Sequence, residues 1–339
     1  MSTPGAATRH DAHGHAPVTL LRVSGEVLPA RGIGVPVARG RRTAREAGST
    51  WAWHSSLLTG AAMLAVLASA AALADALAPD GPLRAMGAPL QPPMPQHWLG
   101  TDDLGRDVFA RLVHGARVSL AIGFLTALVS AVIGTLVGSV AGYAGYMGHW
   151  VDDVLMRLTE LVQVLPRFFL AIVVVALFDS SAWLIVALLG LTFWPGTARL
   201  LRAQVLSLRE REFVLAARAV GMGEVRVLWR HILPNALPLV LVTAALQVGT
   251  AMLVESALSF LGLGDQAVVS WGGMLSGAQA FVRTAWWTSV FPGLAIVLTV
   301  LAANLVADGL QDALDPRQPA ASDGGPRRPA HRAPRRLDG

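Results

Sequence analysis

The chain contains no cysteine and no lysine, and only 14% of its 339 residues are charged. The first absence removes thiolate nucleophiles, disulfides, iron–sulfur clusters and cysteine zinc sites. The second removes the Walker A lysine that reaches a nucleotide's phosphates and the Schiff-base lysine of pyridoxal enzymes. Any ATP that drives this protein must therefore be hydrolysed by another chain, and no cofactor is expected here. Soluble proteins carry charge on about a quarter of their residues, whereas this chain is 53% hydrophobic with a mean hydropathy of +0.52. The composition is that of a membrane protein.

All 27 basic residues are arginine, and the net charge of +5 is concentrated at the ends. Residues 1–50 hold seven arginines against Asp11, Glu26 and Glu46, and residues 317–339 hold six against Asp323 and Asp338, which leaves each end at +4 and the body at −3. The ends are rich in Gly, Pro and Ala and lack interleaved aromatics, so nucleic-acid binding is not expected. Basic ends flanking apolar helices suit anchorage at anionic lipid on the cytoplasmic side.

Uncharged runs place membrane spans at about residues 57–77, 118–142, 154–178, 180–198, 232–254 and 284–307. Each is long enough to cross about 30 Å of hydrocarbon at 1.5 Å per residue. The expected fold is therefore all-α and integral to the membrane, with six transmembrane helices. Residues 56–316 form the membrane domain between two basic tails, 1–55 and 317–339, that are expected to be disordered. A cleaved signal peptide is not expected, since the first apolar run begins more than 50 residues in. An even number of spans puts both tails on one side, cytoplasmic by the positive-inside rule, and the same topology puts Arg199 to Arg230 inside.

That inner segment reads as helical. Ser207-Leu208-Arg209-Glu210 has the spacing of a capping box, the run from Phe213 to Val220 follows, and Gly221 offers a left-handed stop. A second short helix from Glu224 to Arg230 leads to Leu233-Pro234, where proline suits the first turn of the next span. Ala216, Ala217 and Ala219 leave room for another backbone or groove to approach. On pattern alone, an amphipathic helix lying on lipid is the alternative.

The stretch Arg211-Glu212-Phe213-Val214-Leu215-Ala216-Ala217-Arg218-Ala219-Val220-Gly221, followed by Arg230-His231-Ile232-Leu233-Pro234-Asn235, resembles the EAA loop of binding-protein-dependent ABC importer permeases. Ala216, Ala217, Gly221, Leu233 and Pro234 match at the family spacing. Leu215 replaces the family's glutamate, and His231 stands where an isoleucine is expected. The resemblance implies that Glu212, Ala216, Ala217, Arg218, Gly221, Leu233 and Pro234 belong to a coupling helix that docks on an ATP-binding subunit. It further implies a heterodimer with a related permease, two ATP-binding subunits, an extracytoplasmic solute-binding protein and a place in the bacterial cytoplasmic membrane.

Other segments resemble the dipeptide, oligopeptide and nickel branch of the family. One is the outer segment His97 to Asp107, with Gly100, Thr101, Asp102, Gly105, Arg106 and Asp107 as its motif. Others are Glu255 to Gly264 with Ser270-Trp271-Gly272, Phe291-Pro292-Gly293, and Asn304 through Asp315-Pro316-Arg317. The likeness implies import of dipeptides or oligopeptides, with nickel or another small solute as the alternative cargo. A self-sufficient secondary transporter would show matching broken halves, and no convincing repeat is present. The acidic spacing at Asp102, Asp103 and Asp107 misses the EF-hand pattern, and no metal is expected there.

At 100° per residue, Asp153, Arg157, Glu160, Gln163 and Arg167 share one face of the third span. Arg157 is placed to pair with Asp153 and Glu160, and Pro166 is a candidate kink. The stripe reads either as a structural ion-pair cluster or, through Glu160, Gln163 and Arg167, as the wall of a translocation path. Glu255 reads as a packing or partner contact, and Asn304, Asp308 and Asp312 as a solvated face. His10, His13 and His15 lie close enough to hold a metal ion, but a solvated tail is the simpler reading.

Overall fold

The computed structural model describes residues 49–144 and 149–314, with side chains from Ser55 onward. The chain divides into two units, Met1–Glu46, which lies outside the described residues, and Ala47–Gly339, to which everything below belongs. The tail histidines His10, His13 and His15 and the segment 317–339 also lie outside the described residues. Among the described residues the fold is helical, with only isolated bridges such as Thr101 to Asp107 in extended pairing.

Five helices are long and apolar enough to cross a membrane: α1 (Ser49–Ala72), α3 (Val108–Tyr143), α6 (Ala182–Leu208), α9 (Leu233–Phe260, continuous with the turns from Glu224) and α11 (Trp287–Leu314). A bent pair, α4 (His149–Val164) and α5 (Arg167–Phe178), passes the same test only when taken together and turns by 76° at the break. Shorter helices are α2 (Ala74–Leu77), α7 (Glu212–Ala219), α8 (Glu224–Val227) and α10 (Trp271–Ala278). The bundle has a cap end, carrying residues 78–107, and a loop end, carrying α7. Gly309 lies against Leu57, so the start of α1 and the end of α11 both sit at the loop end.

Several boundaries differ from those expected, the first two for an electrostatic reason. The first span was expected over 57–77, but α1 begins at Ser49 and stops at Ala72. Arg117 donates to the Ala71 and Ala72 carbonyls at 2.6 and 3.0 Å and pairs with Asp75 at 2.8 Å. The guanidinium satisfies carbonyls that the helix end leaves without partners, and it complements the dipole there. Its hydrogen bond also holds the Asp75 carboxyl below the usual range. The second span was expected to begin at 118. Instead α3 starts at Val108, capped by Asp107, whose side chain accepts from the Phe109 N–H at 2.8 Å.

The fourth span runs ten residues past the expected 198, to Leu208, because Leu201, Val205 and Leu208 continue its buried face. That extension overturns the capping box: Ser207 lies in the last turns of α6, and α7 starts at Glu212 with no side-chain cap. The expected second helix, Glu224 to Arg230, does not end. It passes through a π-turn, Leu228–Ile232, straight into α9.

The most extensive helix contact among the described residues is between α3 and α6. Gly134, Gly138 and Gly142 recur every fourth residue, and a Cβ on each would lie 2.5 to 2.8 Å from α6 atoms. In lipid, where apolar burial gives helices little reason to associate, such small-residue stripes let backbones approach and gain van der Waals contact. Sequence reasoning read these glycines only as part of an apolar run.

Candidate functional site

At the loop end, α7 is pinned by one fully buried residue, Val214, which packs with Tyr143, Leu201, Val205, Val227 and Ile232. Its other face is open. Phe213, Leu215 and Val220 are 42%, 50% and 87% exposed, and Val225 and Trp229 continue the apolar surface. Gly221 has φ of +84° and turns the chain there; its N–H donates to the Arg218 carbonyl at 2.8 Å and that of Met222 to Ala217 at 3.2 Å. A side chain at that φ is strained, which is why glycine occupies the stop.

The residues expected on the docking face divide. Glu212, Ala216, Gly221 and Pro234 are exposed, whereas Ala217 and Arg218 are half-buried and Leu233 is buried. Arg218 points into the bundle: its Nε lies 3.3 Å from Glu224, an Nη donates to the Tyr143 hydroxyl at 3.3 Å, and Tyr143 donates to Glu224. Tyr143 ends α3 and Glu224 begins the segment that becomes α9. The cluster thus ties α7 to two spanning helices at one point. Beside it, a groove of about 1190 Å³ runs between α6, α7, α9 and α11, lined by Gln204, Glu210, Arg211, Asn235, Pro238 and Gln311 among others.

The polar stripe does not survive as one face. Arg157 pairs with Glu160 at 3.0 Å, both largely exposed, but the 76° break at Leu165-Pro166 separates Arg167 from them. Arg167 instead lies over the Phe193 ring on α6, 5.1 Å from its centroid. Gln163 has a buried Nε2 with no partner among the described residues. The anchoring acid of α4 is not Asp153 but its neighbour Asp152, held by Arg202 of α6 through two bonds of 2.6 Å. Glu255 is a packing residue, buried and bonded by Ser259 at 2.8 Å and Ser256 at 3.3 Å.

At the cap end all six motif residues build one clamp. Gly100 and Gly105 take φ of +79° and +72°. Thr101 is fully buried, donating to the Ala88 carbonyl at 2.7 Å and accepting from the Gln91 N–H at 2.8 Å. Asp102 accepts from the N–H groups of Leu104 and Arg106 at 2.9 Å each, from the Arg106 side chain at 2.7 Å, and from Arg111. The indole of Trp287 donates to the Thr101 carbonyl at 3.1 Å and joins the cap to α11.

Residues 134–318 match the family described as the binding-protein-dependent transport system inner membrane component. The chain belongs to this family. Among relatives, the dipeptide transport system permease protein DppC of Alkalihalophilus pseudofirmus is 45% identical over 229 residues, 67% of this chain and 74% of that one. The oligopeptide transport system permease protein OppC of Bacillus subtilis is 40% identical over 228 residues, 67% of this chain and 74% of the relative. The glutathione transport system permease protein GsiD of Pectobacterium atrosepticum is 42% identical over 226 residues, 66% and 74% respectively. The protein is thus a multi-pass ABC permease rather than an enzyme.

The permease's cap offers a direct test of its electrostatics. Burial opposes ionisation of Asp102, but the Arg106 backbone and side-chain bonds and the Arg111 charge outweigh it and hold the carboxyl below its usual value. A carboxyl lowered on folding adds stability that is complete above the unfolded pKa, about 3.9, and is lost as pH falls through the folded value beneath it. Protection of residues 80–105 from protease should therefore be flat from neutral pH to about pH 4 and fall below it. Asp102→Asn keeps an acceptor for the two N–H groups but leaves Arg106 and Arg111 without their shared charge. Breaking a buried pair costs about 3–5 kcal/mol, so this variant should lose the protection at neutral pH.

Proposed function

We propose that this permease is half of the membrane pathway of an ATP-driven importer that takes up dipeptides or oligopeptides. The observation that carries the reading is the open apolar face of α7, fixed to α3 and α9 behind it by Val214 and by Arg218, Tyr143 and Glu224. In this reading a separate ATP-binding subunit docks on Phe213, Leu215, Ala216, Val220 and Gly221, with Glu212 and Pro234 at the edge. Ala217, Arg218 and Leu233 hold the docking helix to the bundle. The relatives named for dipeptide, oligopeptide and glutathione transport support peptide cargo.

The chain crosses the membrane six times, with the bent pair α4–α5 as one crossing, over a membrane domain of residues 56–316. The tails 1–55 and 317–339 and α7 lie on the cytoplasmic side of the inner membrane, where 22 of the 27 arginines then fall at or near the inner face. A related permease completes a heterodimer, two ATP-binding subunits attach below, and a solute-binding protein delivers cargo at the cap. The groove beside α7 opens towards the cytoplasm, where cargo leaves. Closure of the ATP-binding subunits shifts the balance between inward and outward states because they bind the two with different affinity.

Val220→Asp tests the docking face. A carboxylate buried there without a partner costs several kcal/mol, so recovery of the ATP-binding subunit with the tagged permease should fall at least about tenfold, the equivalent of 1.4 kcal/mol. Full recovery with normal cargo-stimulated ATP hydrolysis would overturn the docking assignment. Failure of peptide-loaded binding protein to stimulate hydrolysis by the wild-type complex would overturn peptide cargo.

A further inference from the structure

The groove between α6, α7, α9 and α11 holds about 1190 Å³, above the roughly 300–1,000 Å³ that encloses a drug-sized ligand. Its walls mix apolar surface, Phe213 and Pro238 among them, with the amides of Gln204 and Asn235. Leu314 belongs to the same wall. That residue ends α11, and the chain continues from it as Asp315-Pro316-Arg317-Gln318-Pro319-Ala320-Ala321, which lies outside the described residues. At no more than about 3.6 Å per residue, Asp315 starts at the groove and Gln318 is within about 14 Å of Leu314.

Two further groove residues, Arg211 and Glu212, are charged and exposed. Their neighbour Glu210 is paired with Arg209 at 3.1 Å, but among the described residues Arg211 and Glu212 have no ion-pair partner. The continuing chain supplies one charge of each sign within three residues: Asp315 matches Arg211, and Arg317 matches Glu212. A proline brings a fixed φ and no N–H to satisfy, so Pro316 and Pro319 suit apolar walls, and aromatic-lined grooves take proline-containing segments in this way. A segment joined covalently to the wall acts at an effective concentration in the mM range, so modest contacts suffice to fill the groove.

We propose that residues 315–321 of this chain are the resting occupant of the groove, with Asp315 on Arg211, Arg317 on Glu212, and Pro316 and Pro319 against the apolar walls. Two consequences rest on the function proposed above, whereas the seat itself does not. The segment lies where cargo leaves and must move aside for each passage. It also draws on Glu212 and Phe213, which belong to the docking face of the ATP-binding subunit, so the two compete for those residues.

The absence of cysteine from the chain makes the test direct. In membranes holding the complete transporter, Gln204→Cys and Asn235→Cys each put a thiol on a groove wall, and Ala203→Cys and Leu237→Cys put one on exposed parts of the same helices outside it. Combined with Gln318→Cys, either wall position should form an intrachain disulfide on mild oxidation at least about tenfold faster than either control, because the bond needs Cα atoms within about 7 Å. Maleimide should label Gln204→Cys alone slowly in the full chain and about tenfold faster in a chain ended after Leu314, the equivalent of 1.4 kcal/mol. A full-length variant excludes a folding effect of the truncation: Asp315→Arg with Arg317→Asp should speed labelling about fivefold, the equivalent of about 1 kcal/mol. Adding Arg211→Asp with Glu212→Arg should slow it again.

Equal oxidation rates at wall and control positions, or labelling as fast in the full chain as in the truncated one, overturns the seat. Shielding that survives truncation also overturns it, by giving the groove to the second permease or to lipid. Shielding that appears only with peptide-loaded binding protein gives the groove to cargo, and disulfides between two chains give it to a second copy; either overturns the proposal. Recovery of the ATP-binding subunit with the truncated permease should rise about threefold, the equivalent of about 0.7 kcal/mol, and unchanged recovery overturns the competition. If that subunit is not recovered even with wild type, the docking reading itself fails, a result distinct from the disulfide and labelling outcomes.

Discussion

Replacing Gly138 with valine should sharply lower the yield of monodisperse permease in a mild-detergent extract. A Cβ at this position lies 2.5 Å from the Ala198 carbonyl oxygen and 3.0 Å from the Leu201 Cβ. The first of these is backbone, so no rotamer change on α6 relieves the clash, and the helices must part. Gly134 and Gly142 meet the same helix one turn away on either side, so parting at 138 opens the whole contact. Overpacking costs about 1–3 kcal/mol where side chains can yield, and more where they cannot. At 3 kcal/mol the folded fraction relative to unfolded falls roughly a hundredfold. Size-exclusion chromatography of tagged protein should show a monodisperse peak for wild type and aggregate for the variant. Gly196→Ala provides the contrast: that glycine lies inside α6 with nothing near its missing Cβ, and its peak should match wild type. Equal peaks for Gly138→Val and wild type would mean that α3 and α6 do not approach as closely as described.

The sequence shows where the apolar passes lie, because a run of uncharged residues has few other uses. It shows where they end less well, because a hydropathy rule treats every charge as a boundary. Arg117 was taken as the edge of the second pass, yet it sits within α3, neutralised by Asp75 from 42 residues earlier. Arg202 lies inside α6 for the same reason, paired with Asp152 from 50 residues earlier. No local pattern announces such partners. Pro166 marked a kink correctly, but only the folded chain shows that the turn takes Arg167 away from Glu160 and onto Phe193.

The helical segment α7 was legible by its small residues and by the glycine that ends it, since both are demands of local backbone geometry. Its exposed apolar face was missed. Phe213, Leu215 and Val220 fit a buried helical face as well as an exposed one, and only burial of Val214 among them decides which side is inward. The direction of Arg218 was missed too, because Tyr143 is 75 residues away in sequence. At the cap, the motif residues were visible as a set, but nothing in their spacing shows that Thr101 is the buried hub joined to Trp287, which is 186 residues distant.

Arg218→Leu should separate ATP hydrolysis from uptake. The side chain is 16% exposed and is directed at Glu224 and Tyr143. Leucine preserves helix propensity and most of the apolar stem, so Phe213, Leu215 and Val220 stay in place and the ATP-binding subunit should still co-purify. What disappears is the charged group that holds Glu224 and Tyr143 together. Tyr143 is buried at the end of α3, and Glu224 opens a segment that runs without interruption into α9. Without the guanidinium, α7 keeps its seat through Val214 but loses its polar tie to those two helices. Movement imposed on α7 then dissipates in the loop. Uptake per ATP hydrolysed should fall at least about tenfold, the equivalent of 1.4 kcal/mol of lost coupling. Tyr143→Phe removes the two hydrogen bonds of its hydroxyl, each worth about 0.5–1.5 kcal/mol, but leaves Arg218 paired with Glu224, and should give a smaller loss. Arg218→Lys restores the charge without the planar fork and should fall between the two. Normal uptake per ATP in Arg218→Leu would locate the mechanical link elsewhere, and loss of the ATP-binding subunit in that variant would make Arg218 a determinant of docking rather than of transmission.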